Sequence, residues 1–236
     1  GRSGSILMLM PGIGESSVPV RIRLGIALAI TFVLYPLVSG RYPAVPQNMA
    51  SLFVLFGHEI LVGLAIGLAL RLVLATLAVA GMIIANQIGI ASALVFDPTM
   101  GGQGAILGGL MTMLGVTLIL VTDLHHLSIA GLAQSYTLFP PGQGFPAGDF
   151  LMMNVRTIAE SFSMALQISA PFIVYGLVFQ FGLGVLARLM PQIQVYFMMT
   201  PASIAIGLIF FMLLTAAMMT WWLSSVEAVY NRFLGG

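Results

Sequence analysis

The sequence predicts an all-α, polytopic membrane protein built from long helical hairpins that prolines interrupt. Hydrophobic residues make up 59% of its 236 residues and charged residues only 6%, against about 45–50% and about 25% in soluble domains. Because so few charged residues cannot cover the surface of a soluble protein, the chain lies in a membrane or is buried among similar chains. Its hydrophobic runs approach or exceed the roughly 20 residues that cross a bilayer. An ordinary soluble enzyme is therefore excluded.

The charged residues exclude further classes of function. The net charge is +1 and all 8 cationic residues are Arg, so the clustered basic surface of a nucleic-acid-binding protein is missing. The chain has no Cys, which excludes disulfides and thiolate metal sites. No phosphate-binding Gly-Lys-Ser/Thr loop occurs. Because the sequence begins with Gly1 rather than Met, we expect a fragment, one helical domain over residues 1–236 that lacks the extreme N-terminus.

The first half of the chain holds two hydrophobic blocks. Residues 22–38 form a first candidate span, and a loop with two prolines follows at residues 41–48. The run over residues 52–93 is apolar almost throughout, and its length predicts two helices or one long hairpin. Within this run, Gly63 and Gly67 have the spacing of four that allows helices to approach closely.

The second half begins after a strong helix stop. Asp97-Pro98 is followed by three glycines within residues 96–104, and both residue types disfavour a helix. Residues 105–122 form the next block, and an amphipathic segment follows from Asp123 to Phe139. Residues 156–187 form a long run with a proline kink at its centre, and residues 195–225 form the last block.

Arg71 lies inside an apolar run, where an unpaired charge is costly. We therefore expect a buried partner from another segment. Glu160 is the first candidate, and Asp97 and Asp123 are the others. Such a pair either locks helices or subunits together or lines a conduit, and we favour the structural pair.

The stretch Asp123-Leu124-His125-His126 combines a carboxylate with two imidazoles. Asp123 and His126 are three residues apart and can share a helix face. A metal site or proton relay would need further ligands at suitable spacing, and none follows. The sequence therefore predicts the polar mouth of a span, with no metal and no cofactor.

Three stretches together resemble the FliR family, which also includes the T subunits of virulence injectisomes. They are residues 8–15 with Pro19 and Arg21 after them, residues 123–140, and residues 186–195. The last is the most specific, because the pair Pro191-Gln192 between two apolar helices is unusual. In the second stretch, Asp123 and His126 match the family's motif.

The resemblance implies a structural subunit, without enzymatic activity, of the flagellar type III export gate in the bacterial inner membrane and flagellar basal body. One copy would join P-type and Q-type subunits in a closed, helical hetero-oligomeric ring, with A-type and B-type gate subunits as further partners and membrane lipid around it. Unfolded flagellar proteins would pass through this ring. The family's plug loop maps onto these residues: Phe96, Asp97, Pro98, Met100, Gly101 and Gly102.

Two other functions are compatible with individual residues. A small secondary transporter or channel would use Arg71, Glu59 and Asp123, but the sequence lacks the two related halves typical of such carriers. An intramembrane enzyme would need a convergent nucleophile and base, which the sequence does not display. The resemblance favours the export-gate subunit over both.

Overall fold

The computed structural model describes residues 1–15, 18–42, 48–90, 103–142, 147–189 and 194–234. All regular structure within these ranges is helical, which confirms the predicted all-α class. The α-helices are α1 (Arg2–Leu9), α2 (Val20–Val38), α3 (Met49–Ile88), α4 (Gln103–Val121), α5 (Leu124–Leu138), α6 (Ala147–Leu189) and α7 (Gln194–Leu234). A short 3-10 turn, Ser39–Arg41, follows α2.

Four stretches in the described part of the chain are long and apolar enough to cross a membrane. They are Val20–Arg41, Met49–Ile88, Ala147–Leu189 and Met199–Ala228. Helices α4 and α5 add a fifth candidate when taken together, with a bend of 76° between them. These helices confirm the prediction of a polytopic membrane protein.

The prediction of two helices or a hairpin over residues 52–93 is wrong for the described part, because α3 is one helix of 40 residues. It contains no proline, and two of its polar residues, Glu59 and Asn86, find partners without breaking it. Asn86 donates a hydrogen bond to the carbonyl of Met82 at 2.9 Å, and Glu59 accepts one from Arg2 at 2.7 Å. Length alone demanded no turn, since a helix can extend beyond the roughly 30 Å hydrocarbon core. The helix stops at Gly89, whose φ of 90° only glycine adopts readily.

Pro171 and Pro201 lie inside helices and do not end them. Helix α6 runs through Pro171 over 43 residues, and α7 runs through Pro201 over 41. Helix α6 ends at Leu189 and α7 begins at Gln194, and the break predicted at Pro191 lies outside the described residues.

Contacts group the chain into two compact units. The first contains Gly1–Leu74, Val116–Glu160 and Ser225–Gly236, and the second contains Ala75–Gly115 and Ser161–Ser224. Helices α3, α4, α6 and α7 contribute residues to both units. A single helical domain over residues 1–236 stays a prediction.

In the first unit, α1 lies against α3 at the two glycines that the sequence singled out. A Cβ atom on Gly63 would stand 2.7 Å from the carbonyl oxygen of Arg2, and one on Gly67 would stand 2.9 Å from Cβ of Leu9. Real Cβ atoms essentially never come so close. The close helix approach predicted from this spacing is therefore confirmed.

Helix α2 joins the first unit along one narrow stripe. Its buried residues are Ala27, Leu34 and Val38, which recur on one side of the helix. Ala27 packs with Leu7 and Met10 in a small apolar core. The remaining surface of α2 is open and largely apolar.

The second unit also depends on close backbone approach. Gly81 of α3 meets the backbone of Gly108 of α4 so closely that neither position has room for a Cβ atom. The hydroxyl of Ser203 in α7 donates a hydrogen bond to the carbonyl of Ile88 at 3.2 Å. The backbone carbonyl of Ser203 accepts one from the hydroxyl of Tyr175 in α6 at 2.8 Å. These bonds hold the end of α3 to α6 and α7.

The bend between α4 and α5 is made at Asp123. This residue has φ 57° and ψ 15°, the left-handed conformation, which Asp tolerates better than most residues. Its carbonyl accepts a hydrogen bond from the amide of His126 at 2.9 Å, which starts α5. The Asp123-Leu124-His125-His126 stretch therefore forms a sharp corner, which we call the α4–α5 corner.

Candidate functional site

The first unit contains a fully buried arginine. Arg2 is 0% exposed and donates to Oε1 of Glu59 at 2.7 Å. It also donates to the carbonyls of Ser135 at 2.7 Å and Phe139 at 2.8 Å, near the end of α5. Its guanidinium carbon lies 4.3 Å from the ring centre of Tyr136, within cation–π distance. One side chain of α1 therefore connects α3 with the end of α5.

Tyr42 engages the other oxygen of Glu59. Its hydroxyl donates to Oε2 at 3.0 Å. Burial raises the pKa of Tyr42 above its ordinary value, and the neighbouring Tyr136 and Glu59 raise it further. The hydroxyl therefore stays protonated at neutral pH and remains a donor, so both oxygens of the buried carboxylate are satisfied.

This network positions helices and offers no exposed reactive group. Taking two charges out of water costs several kcal/mol per ion, which the hydrogen bonds to both ions offset. Sequence reasoning missed Arg2 and assigned Glu59 only to the alternative transport site. The signal was available, because an acid inside an apolar run needs a cation and the chain has only 8.

Arg71 has a different partner from the one predicted. It donates to Oε1 of Glu15 at 3.1 Å, and its side chain is 41% exposed. Glu160 accepts instead from Arg156 at 3.0 Å, one turn away on α6. The predicted buried pairing of Arg71 with Glu160 is thus corrected. Because α1 packs on α3, Glu15 in the segment after α1 comes close to Arg71. The two residues lie 56 positions apart in the sequence, so no local spacing predicts their contact.

The α4–α5 corner is polar and exposed on the single chain, and its place at the mouth of a span stays a prediction. Nδ1 of His126 lies 3.6 Å from Oδ1 of Asp123, and these side chains are 70% and 73% exposed. The rings of His125 and His126 lie 4.1 Å apart. The corner therefore brings one carboxylate and two imidazoles together.

The predicted plug residues lie outside the part of the chain that the structure describes. They are Phe96, Asp97, Pro98, Met100, Gly101 and Gly102. The family-motif residues Pro191 and Gln192 also lie outside it.

The second unit contains a cavity of about 450 Å³ beside the end of α3. Its polar lining consists of amides and hydroxyls: Asn86, Gln87, Gln180, Thr200 and Ser203. Among its described lining residues no side chain is ionisable, and their amides and hydroxyls suit binding by hydrogen bonds.

Helix α6 exposes polar side chains within a broad apolar face. Only 11% of its most apolar stretch is buried inside the chain, against 50% for α3. Its exposed apolar residues include Phe162, Val174, Leu177, Val178 and Phe181. Gln167 and Gln180 are exposed beside them, and Gln167 donates only to the neighbouring hydroxyl of Ser163 at 3.3 Å among the bonds that the structure records. We call this surface the open face of α6.

Residues 1–229 match the family described as bacterial export proteins, family 1. The chain belongs to this family. It is similar to the flagellar biosynthetic protein FliR of Caulobacter vibrioides, with 41% identity over 88% of the chain and 82% of that protein. FliR of Escherichia coli is 28% identical over 86% of the chain and 77% of its own length. Yop proteins translocation protein T of Yersinia pestis is 26% identical over 85% of the chain and 77% of its own length.

These similarities confirm the resemblance to the FliR family and its injectisome relatives. Together with the apolar helices, they make the chain an inner-membrane component of the flagellar type III export apparatus. The family is a structural part of that apparatus and is not known as an enzyme.

Proposed function

We propose that this family member is a pore-forming subunit of the flagellar type III export gate. With P-type and Q-type subunits it forms the portal through which unfolded flagellar proteins cross the inner membrane, and it helps to close that portal. A-type and B-type gate subunits act beside it. The open face of α6 is the observation that carries the proposal.

A lipid environment does not suit this face. Gln167 donates to Ser163 and Gln180 also lines the cavity, but hydrocarbon offers no partner to the rest of their exposed amide groups. Each unsatisfied group costs several kcal/mol. A neighbouring subunit or a water-filled passage satisfies such groups, and the apolar residues around them pack against further helices. Helix α2, with 17% of its apolar stretch buried in the chain, offers a second surface for another subunit.

The closing element in this proposal is the loop over residues 96–104. Its support is the sequence: Gly101 and Gly102 permit backbone conformations that other residues resist, and Phe96 and Met100 carry bulky apolar side chains. A loop of this composition can fill a narrow passage and yield to an arriving chain.

Photo-crosslinking in cells that assemble flagella tests the assembly. A photoreactive residue at position 167 or 180 should give covalent adducts with P-type or Q-type subunits, or with an exported protein. The matched control is position 172 on the same helix, because Phe172 is 0% exposed and should give adducts only within the chain. Adducts with lipid alone at both open positions would contradict the proposal.

Conductance tests the closing role separately. Deleting residues 99–102 should leave the complex assembled and make it leaky to ions in a planar bilayer. Unchanged conductance in an assembled complex would leave this loop as a plain connector while the subunit role stands.

The transporter alternative receives no support from the ionisable residues. Glu59 pairs with Arg2, Arg71 with Glu15, and Asp123 lies beside His126. Each of the three groups assigned to a transport site thus has a separate partner.

A further inference from the structure

We infer that Asp123, His125 and His126 form a binding site for a divalent transition-metal ion of the zinc type at the α4–α5 corner. One ligand atom from each residue lies within 4.8 Å of the other two. A carboxylate with two imidazoles is a donor set that Zn²⁺ binds, while Mg²⁺ and Ca²⁺ prefer oxygen donors.

The backbone at Asp123 makes three ligands available from a stretch of four residues. The sequence predicted no metal because no further ligand follows at the usual spacing. His125 and His126 are neighbours in the first turn of α5, and their rings lie 4.1 Å apart. The left-handed conformation of Asp123 (φ 57°) lets its carboxylate meet this turn, where Oδ1 lies 3.6 Å from Nδ1 of His126.

His125 supplies a second, independent indication. Its Nδ1 is buried and has no hydrogen-bond partner among the described residues, and an unsatisfied buried polar atom costs about 1–3 kcal/mol. A metal ion bound to this nitrogen would use its free lone pair and remove that penalty. The described residues thus leave Nδ1 of His125 unsatisfied, and a bound ion is one partner that would satisfy it.

The distances suit a small ion after modest side-chain rotation. Ligand bonds of about 2.0–2.2 Å place tetrahedral donors about 3.3–3.6 Å apart. The Asp123–His126 separation of 3.6 Å already meets this value. Both side chains are mostly exposed, so the chain itself blocks neither their rotation nor the approach of an ion. Water or a group from another subunit fills the fourth position.

Binding is measured on the full chain in detergent, co-expressed with its partner subunits and purified through a tag without histidine. Titration calorimetry with ZnCl₂ and absorption spectra with Co²⁺ report affinity and geometry. The variants are Asp123→Asn, which keeps a residue tolerant of the left-handed backbone, His125→Gln and His126→Gln. The matched control is Asp149→Asn, an exposed carboxylate at the start of α6.

We expect one Zn²⁺ site per chain in the unchanged protein and in Asp149→Asn. Mutating a residue that only hydrogen-bonds to a metal ligand already lowers metal affinity about 10–100-fold. Removing a ligand in each of the three variants should therefore weaken Zn²⁺ binding at least about tenfold. Excess Mg²⁺ should not compete. The proposal is overturned if the three variants bind Zn²⁺ as tightly as the unchanged protein, or if that protein binds none. Gel filtration of every variant shows that lost binding is not lost folding.

Discussion

Two ion pairs connect the start of the chain to helix α3, and their surroundings differ. Arg2 and Glu59 meet at 2.7 Å with side chains 0% and 4% exposed. Arg71 and Glu15 meet at 3.1 Å with side chains 41% and 21% exposed. Glu59 also accepts from Tyr42, and Arg2 also donates to two carbonyls.

This difference decides which pair holds the fold. Water screens an exposed ion pair, and forming it costs side-chain entropy. Its net contribution to stability is therefore only about 0–1 kcal/mol. Breaking a buried pair leaves a charge without water or a counter-ion, which costs about 3–5 kcal/mol. Similar distances thus correspond to very different contributions to stability.

The largest expected effect comes from Arg2→Ala. Glu59 would be left buried with Tyr42 as its remaining donor among the described residues, so the free energy of unfolding should fall by about 3–5 kcal/mol. SDS titration of the detergent-solubilised chain measures this change. Combining Arg2→Met with Glu59→Leu should recover much of the loss, because no isolated charge then remains. A double variant less stable than either single variant would show that the buried charge is not the main cause of the loss.

Tyr42→Phe should have the next largest effect. It removes one donor to the Glu59 carboxylate and keeps the ring, and a hydrogen bond to a charged group contributes about 1.5–3 kcal/mol. The same SDS titration measures the loss. The control is Tyr35→Phe, because Tyr35 is 68% exposed on the preceding helix and its hydroxyl should contribute almost nothing. Equal losses in the two variants would contradict the assigned role of Tyr42.

The same comparison explains what the sequence could predict. The helical class follows from local composition, and the spacing of Gly63 and Gly67 correctly indicated a close approach of helices. The partner of Arg71 did not follow, because ion pairing between distant segments depends on how helices pack. The unbroken course of α3 was also missed, since Glu59 and Asn86 become compatible with a helix only through the hydrogen bonds they make. The left-handed backbone conformation of Asp123 likewise could not be predicted from composition.

Arg71→Ala should reduce the free energy of unfolding by at most about 1 kcal/mol in the single chain. The Arg71 side chain is 41% exposed on the single chain, so we expect water to solvate Glu15 after the change. At 1 M salt, where the screening length is about 3 Å, the difference from the unchanged chain should shrink further. A loss as large as that of Arg2→Ala, insensitive to salt, would show that the pair is desolvated.

The smallest effect belongs to Arg156 and Glu160, one turn apart on α6, with side chains 75% and 38% exposed. Exposed pairs at this spacing contribute about 0.3–0.5 kcal/mol, and the order with the acid nearer the C-terminus is the weaker one. A double-mutant cycle with Arg156→Ala and Glu160→Gln should therefore give a coupling below about 0.5 kcal/mol in the single chain. Repeating the cycle in the assembled complex sharpens the comparison. A coupling that rises above about 1 kcal/mol there would mean that a neighbouring subunit excludes water from this end of α6, whereas an unchanged coupling would leave that end in solvent.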